Sequence, residues 1–183
     1  MARTGTQAEH RQKNVGVLAM SNVRMAQEIV EQLNAVGVSE FCLCPGGRNS
    51  PFVVVLEKTN GIQCTTHFEE RSASFFALGR IKNHGRPVAI VTTSGTAAAE
   101  LLPATIEAYY SGLPLVLVTA DRPRRDRGTG APQAIEQVGL YTKYVTKEWD
   151  IANGEALDCS GWEKNFPCHL NVCFDEPLVA THV

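Results

Sequence analysis

Three short segments of the sequence place charged side chains directly after runs of apolar residues. The first contains Arg48 within the turn at residues 45–50, the second contains Glu70, and the third has four arginines within residues 122–127. Guanidinium groups bind carboxylates and phosphates through paired hydrogen bonds. The sequence therefore predicts a site that binds an anionic small molecule.

Each of these charged segments also has a simpler explanation. Arg124, Arg125 and Arg127 would equally suit a solvated loop that keeps the protein soluble. Arg122 stands at the end of a predicted strand and is fixed by the following proline, which favours a functional role for it. Glu70 falls near the start of a predicted helix, where the helix dipole favours a carboxylate whatever its role.

The elements that must position these segments alternate along the chain. Apolar residues recur at helical spacing after Ser21, which can cap a helix that Gly37 ends. Another helix is expected to open at Pro51. Strands are predicted at residues 38–44, 62–68, 88–93 and 115–121, and helices at residues 70–83 and 96–111.

This alternation indicates an α/β fold, a doubly wound and mostly parallel sheet with helices on both faces. The runs at residues 88–93 and 115–121 are almost continuously apolar, as expected for central strands. Because ligands of such folds bind at the carboxyl ends of the strands, the three charged segments should converge on one edge. The rest of the chain is predicted as a short helix at 133–140, strands at 144–151 and 169–174, and irregular structure at 153–167.

The composition suits one domain and excludes several classes of function. The chain has 183 residues, of which 44% are hydrophobic, and we expect a polar tail without fixed structure at 1–14 and a domain at 15–183. With 17 Lys and Arg against 19 Asp and Glu, no basic field favours nucleic acid or an anionic membrane. No apolar run approaches the roughly 20 residues of a membrane span, and the start of the chain lacks the apolar region of a secretory signal. We therefore expect a cytoplasmic protein.

The cysteines do not indicate a disulfide framework or a metal site. The chain has six of them, and it is long enough to fold around an apolar core, so reduced thiols are expected. Cys159, Cys168, His169 and Cys173 lack the closely spaced cysteine pair that is typical of structural zinc sites. Neither a phosphate-binding glycine loop nor the turn of a serine hydrolase is present.

Five motifs in order carry a more specific signal than any one of them. They are residues 44–51, 68–71, 93–97, 119–123, and 130–133 with 137–139. In this order and spacing they resemble the amino-terminal pyrimidine-binding domain of 2-succinyl-5-enolpyruvyl-6-hydroxy-3-cyclohexene-1-carboxylate synthase, a thiamine-diphosphate enzyme of menaquinone biosynthesis. The resemblance covers residues 21–178.

The resemblance implies a catalytic role for Glu70, whose carboxyl group would bond the N1′ atom of the cofactor's aminopyrimidine ring. Pro45 and Gly46 match the turn that lies against this ring. The family decarboxylates 2-oxoglutarate and adds the resulting succinyl carbanion equivalent to isochorismate, with Mg²⁺ bound by a different domain. Positions that hold these substrates are matched by Arg48, Asn49, Arg122 and Gln133.

The sequence departs from the family in two respects. Gly47 stands where a serine is expected, and the Gly-Asp-Gly motif that binds metal and diphosphate is absent. We therefore expect a piece of a longer protein or one subunit of a split enzyme, inactive alone and completed by a diphosphate-binding domain within a homo-oligomer. Two alternatives stay open: a non-catalytic pyrimidine-domain subunit, and a part of another thiamine-diphosphate 2-oxo acid decarboxylase or synthase.

Overall fold

The computed structural model describes residues 21–179, so the tail predicted at 1–14 lies outside the described residues. The strands are β1 (Glu40–Leu43), β2 (Gln63–Thr66), β3 (Val88–Thr92), β4 (Leu115–Asp121), β5 (Lys147–Ala152) and β6 (Cys168–Cys173). The helices are α1 (residues 21–35 of the described part), α2 (Ser50–Lys58), α3 (Glu70–His84), α4 (Thr96–Ala99) and α5 (Leu102–Tyr110), with a 3₁₀ turn at Arg124–Asp126.

All six strands form one sheet in the order β2-β1-β3-β4-β6-β5, and every neighbouring pair is parallel. The predicted doubly wound α/β fold is therefore confirmed. The interior strands β3 and β4 are buried along their whole length, as their continuous apolar sequences predicted. Within residues 21–179, no helix is both long enough and apolar enough to cross a membrane.

A hydrophobic core lies on each face of the sheet, because successive strand residues point to opposite sides. On β3, Ala89 and Val91 pack into the core under α1 and α2, whereas Val88 and Ile90 pack into the core under α3 and α5. Helices thus cover both faces of the sheet, which leaves the two ends of the strands as the places for loops and ligands.

Helix ends follow the local chemistry of their residues. Glu69 caps α3 by accepting hydrogen bonds from the backbone N–H groups of Arg71 (3.0 Å) and Ser72 (2.7 Å). Gly85 ends α3 at a φ of 74°, and Gly37 follows α1 at a φ of 102°, both in the left-handed region that glycine tolerates. Gly37 therefore ends α1 as predicted, while the proposed cap at Ser21 borders residues outside the described range.

Two predicted helices differ from the structure. The single helix expected at 96–111 is divided into α4 and α5, because Pro103 has no N–H to continue the hydrogen-bond series. The prediction of a short helix at 133–140 is wrong. This segment consists of turns and irregular structure, with Gln133 at a φ of 58°. The last two strands begin and end within three residues of their predicted limits, and residues 153–167 are irregular as predicted.

Candidate active site

The three charged segments meet at one edge of the sheet. The register pairs Leu43 with Thr66 and with Val91, and Val91 with Val118, so the loops after β1, β2, β3 and β4 all leave from the same side. Arg48 lies in the loop after β1, Glu70 follows the loop after β2 at the start of α3, and Arg122 lies in the loop after β4. The convergence expected from the sequence is therefore present in the structure.

Asn49 holds the turn that follows β1. Its Nδ2 donates to the carbonyl oxygen of Cys44 (2.9 Å), and its Oδ1 accepts from the backbone N–H of Gly46 (2.8 Å). The residue is fully buried. The structure thus gives the Asn49 amide a role in shaping the turn that presents Pro45, which is exposed, and Arg48.

The two glycines of this turn differ in their surroundings. A Cβ atom on Gly46 would lie 2.6 Å from the Cβ of Thr93, so only glycine lets the turn pack against the end of β3. The Thr93 hydroxyl also accepts a hydrogen bond from the backbone N–H of Arg48 (3.3 Å). Gly47 has nothing within 4 Å of its added Cβ, which leaves room for the serine side chain that we expected there.

Arg48 reaches across the edge of the sheet to the end of β6. Its Nη1 donates to the carbonyl oxygen of Phe174 (3.1 Å), and its Nη2 lies 3.0 Å from Oε1 of Glu176. The arginine side chain is 8% exposed and that of Glu176 is 63% exposed. The guanidinium group of Arg48 is therefore already paired with a carboxylate of its own chain.

Glu70 is the first residue of α3 and is half-buried beside the turn after β1. Burial, followed by the negative charge of Glu70, raises the pKa of the Cys44 thiol to about 12, which places the carboxylate close to that turn. The preceding Glu69 is occupied as the helix cap, and hydrogen bonds from the hydroxyl and N–H groups of Ser72 lower the pKa of its carboxyl. Within residues 21–179, by contrast, the Glu70 side chain has no hydrogen bond or ion pair to another residue.

The four arginines of residues 122–127 have different partners. Arg124 binds Asp150 (2.9 Å) and Glu155 (2.7 Å). The other two ion-paired members are Arg125, with Asp175 (2.6 Å), and Arg127, with Asp150 (2.6 Å). These three arginines thus form neither an anion-binding cluster nor a purely solvated loop, because carboxylates of their own chain neutralise them.

Arg122 is the exception in this segment. Its Nε donates to the carbonyl oxygen of Pro132 (2.8 Å), and in the described part of the chain its guanidinium group forms no ion pair. Of the four arginines in this segment, Arg122 is therefore the one without a carboxylate partner for its guanidinium group among the described residues. Gln133, the other predicted residue of this loop, is exposed and donates from Nε2 to the carbonyl oxygen of Ser94 (3.0 Å).

A buried polar network supports these loops from below. The Gln137 amide accepts from the N–H of Gly95 (2.8 Å) and donates to Oδ1 of Asn171 (2.8 Å). The Thr119 hydroxyl lies 2.9 Å from the same oxygen of Asn171 and 2.7 Å from Nε2 of His169. Sequence reasoning missed these residues as parts of the site. The sequence carries only a weak signal for two of them: His169 and Asn171 alternate along one strand with the apolar residues Leu170 and Val172.

The network continues into carboxylates on β5. Asn171 donates to Oδ1 of Asp150 (2.9 Å), and His169 Nδ1 lies 2.8 Å from Oε1 of Glu148. Burial opposes ionisation of Asp150, but hydrogen bonds from Arg127, Asn171 and Arg124 outweigh it and hold the pKa of this carboxyl well below its usual range. The end of the sheet below the loops is therefore tied together by charge-assisted hydrogen bonds.

The residues present fit one half of thiamine diphosphate. The aminopyrimidine half needs a carboxyl partner for a ring nitrogen beside a turn that allows close approach, and Glu70 with the turn at Pro45 and Gly46 supplies both. The diphosphate half needs a metal, and residues 21–179 contain no cluster of three or more His, Cys, Asp or Glu side chains that could hold one. Such a site defines the class of pyrimidine-binding domains of thiamine-diphosphate enzymes.

Comparison with known proteins agrees with this class. A family model described as "Thiamine pyrophosphate enzyme, N-terminal TPP binding domain" matches residues 23–140, and the chain belongs to this family. Similar curated proteins are named 2-succinyl-5-enolpyruvyl-6-hydroxy-3-cyclohexene-1-carboxylate synthase. That of Bdellovibrio bacteriovorus is 50% identical over 163 residues, which cover 87% of this chain and 31% of the relative.

Two further relatives carry the same name. The protein from Akkermansia muciniphila is 48% identical over 160 residues, covering 86% of this chain and 30% of the relative. The protein from Synechocystis sp. is 45% identical over 173 residues, covering 86% of this chain and 29% of the relative. The chain thus spans about 30% of the length of the curated relatives it matches.

Proposed function

We propose that this chain supplies the half of a thiamine-diphosphate synthase that activates the aminopyrimidine ring, with Glu70 as the residue that bonds the ring nitrogen. The observation that carries the proposal is the contrast between adjacent carboxylates. Glu69 is occupied by its helix cap, whereas no other described residue hydrogen-bonds or ion-pairs with the Glu70 side chain at the ligand-binding edge of the sheet. A carboxyl group without a partner, beside a turn that requires glycine, suits a ring nitrogen.

The proposed chemistry depends on a proton held at Glu70. When bound, thiamine diphosphate supplies the carbon nucleophile and the electron sink for 2-oxo acid decarboxylation. Glu70 would hydrogen-bond the ring nitrogen and hold a proton there, and the turn at Pro45 and Gly46 would lie against the ring.

A second polypeptide or domain is needed to complete the site. Phe68, two residues before Glu70, is 102% exposed, and Phe75 and Phe76 on α3 are 45% and 43% exposed. Exposed large apolar side chains are typical of interaction sites. These side chains support a diphosphate-binding domain that packs over Glu70, and Mg²⁺, homo-oligomeric assembly and a cytoplasmic location belong to the same proposal.

We propose 2-oxoglutarate and isochorismate as the substrates, as the family resemblance implies; the relatives are named as synthases of 2-succinyl-5-enolpyruvyl-6-hydroxy-3-cyclohexene-1-carboxylate. Both are anions, and the guanidinium group of Arg122 has no carboxylate partner among the described residues. Arg48 joins it when a substrate carboxylate replaces Glu176. Gln133 and Asn49 provide further polar groups, Asn49 chiefly through the shape of its turn.

The test compares two adjacent glutamates in the full-length protein. Glu70→Gln should lower 2-oxoglutarate decarboxylation with thiamine diphosphate and Mg²⁺ on the order of a hundredfold or more, because the amide cannot shift a proton. Glu69→Gln, the matched control, should keep the turnover and lower the melting temperature through the weaker helix cap. Unchanged turnover in Glu70→Gln would defeat the mechanism. A wild-type protein that acts only on another 2-oxo acid, or on none, would favour one of the two alternatives.

A further inference from the structure

The loop at residues 131–137 closes on the end of β3 at a position that only glycine allows. Gly95 has a φ of 79°, and a Cβ atom there would lie 2.8 Å from Cγ and 3.0 Å from the carbonyl oxygen of Gln133. The second of these atoms belongs to the backbone, which cannot move aside as a side-chain end can. Any larger residue at this position must therefore push the loop away from the sheet.

Two glutamines hold this closed arrangement. Gln133 donates from Nε2 to the carbonyl oxygen of Ser94 (3.0 Å), and Gln137 accepts from the N–H of Gly95 (2.8 Å). Gln137 is buried and anchored below by Asn171 (2.8 Å), so it fixes the loop relative to the sheet. The carbonyl group of Ser94 and the N–H group of Gly95, which belong to the same peptide bond, are therefore both hydrogen-bonded.

The same loop sets the direction of Arg122. The carbonyl oxygen of Pro132, the residue before Gln133, accepts the hydrogen bond from Nε of Arg122 (2.8 Å). A guanidinium group held at Nε has a fixed plane, and its two Nη nitrogens then face a carboxylate in paired geometry. Displacement of Gln133 moves the adjacent Pro132, which breaks its hydrogen bond with Arg122 and frees the guanidinium group to rotate.

We infer that Gly95 and Gln137 are positioning residues for the anion site, acting through Pro132 on the guanidinium group of Arg122. This inference rests on the proposed function, in which Arg122 binds a substrate carboxylate. Neither residue needs to touch the substrate. They act on substrate binding through the loop that orients Arg122, and Gln133 moves with that loop.

The experiment uses Gly95→Ala in the full-length protein, with Gly61→Ala as the matched control. Gly61 has a φ of 81°, close to that of Gly95, but nothing lies within 4 Å of its added Cβ, and it precedes β2 at the opposite edge of the sheet. Both variants carry the backbone strain of alanine at positive φ, and only Gly95→Ala carries the collision. Gly95→Ala should raise the KM of the substrate bound by Arg122 about tenfold to a hundredfold with a smaller change in kcat. Gly61→Ala should change neither constant.

A double-mutant cycle separates positioning from general damage. In an Arg122→Ala background, Gly95→Ala should raise KM by a smaller factor than in the wild type, because the main group that it misplaces is gone. Gln137→Met, which removes the bond to Gly95 without a collision, should raise KM in the same direction and serves if Gly95→Ala does not fold. Effects on KM that multiply in the double variant would overturn the inference.

A crystal structure of the variant gives a readout that does not depend on activity. The distance from Arg122 Nε to the carbonyl oxygen of Pro132 should exceed hydrogen-bonding range in Gly95→Ala or Gln137→Met. An unchanged 2.8 Å contact in both would overturn the inference whatever the kinetics. Failure of the wild-type protein to act on any 2-oxo acid would instead count against the proposed function, and the crystallographic distance would still decide the role of Gly95.

Discussion

At the scale of single residues, identical side chains in one short segment have different roles because their neighbours differ. Arg122 and Arg124 are two residues apart at the end of β4. Arg124 binds Asp150 and Glu155, and these hydrogen bonds raise the pKa of its guanidinium group above the ordinary value. The Arg122 guanidinium group instead donates from Nε to the carbonyl oxygen of Pro132, and only its backbone N–H donates to a carboxylate, that of Asp121. The sequence marked both as candidates for anion binding, and only the surrounding carboxylates distinguish them.

This difference predicts opposite effects for two alanine substitutions. Arg122→Ala should weaken the binding of an anionic substrate by about 2 kcal/mol, or roughly 30-fold in KM, because a charge-assisted contact is lost, while the melting temperature stays nearly unchanged. Arg124→Ala should leave KM unchanged and lower the melting temperature, because Asp150 and Glu155 lose a shared partner. Steady-state kinetics and calorimetry of the full-length variants measure both effects. Equal KM values in Arg122→Ala and wild type would remove Arg122 from the site.

At the scale of elements, prediction succeeded where local sequence alone decides the structure. β3 and β4 are almost continuously apolar, and α3 begins at a capping glutamate and ends at a glycine, so their limits follow from the residues within them. The segment at 133–140 has polar residues at helical spacing, but Gln137 uses its amide on Gly95 and Asn171. These long-range contacts outweigh helix propensity. They depend on residues distant in the sequence, which a single sequence does not pair.

The candidate site divides in the same way. Arg48, Glu70 and Arg122 were accessible to sequence reasoning, because each follows a strand and strands of a parallel sheet end together. The supporting amide of Asn171 was not, because a polar residue in a strand gains its meaning from the neighbouring strands. For Asn171 on β6 those neighbours are β4 and β5, and even β5 begins more than 20 residues before β6.

The network around Asn171 should therefore contribute strongly to stability. Asn171→Ala removes one hydrogen-bond partner from each of Gln137, Thr119 and Asp150, and we expect a loss of about 3 kcal/mol in the free energy of unfolding. Asn165→Ala, at an exposed loop position, is the control and should cost less than about 0.5 kcal/mol. Urea unfolding followed by circular dichroism compares the two. A loss below 1 kcal/mol for Asn171→Ala would show that the network adds little to the stability of the sheet.

At the scale of the whole molecule, charge is distributed unevenly despite the net charge of −2. Carboxylates with a pKa below the ordinary value gather around β5 and β6 and the loops that follow them, and include Glu148, Asp150, Glu155 and Asp175. Arginines of the segment after β4 bind three of them, and His169 with the N–H of Gly139 binds Glu148. The carboxyl-terminal part of the sheet thus depends on ionised acids, whereas the interior strands depend on apolar packing.

This distribution predicts that the folded chain loses stability in acid. A carboxyl group whose pKa is lower in the folded than in the unfolded state stabilises the fold when it is ionised, so its contribution is complete above the unfolded value of about 4 and is lost as the pH falls below it. The melting temperature should therefore be nearly constant from pH 7 to about pH 5 and should fall steeply between about pH 4 and pH 2. Asp150→Asn should lower the melting temperature at pH 7 and reduce the steepness of this acid decline, because the group with the strongly lowered pKa is removed. Glu57→Gln, an exposed substitution on α2, is the control and should leave the steepness unchanged. An Asp150→Asn profile parallel to that of the wild type would show that the ion pairs of β5 do not govern the acid sensitivity of the fold.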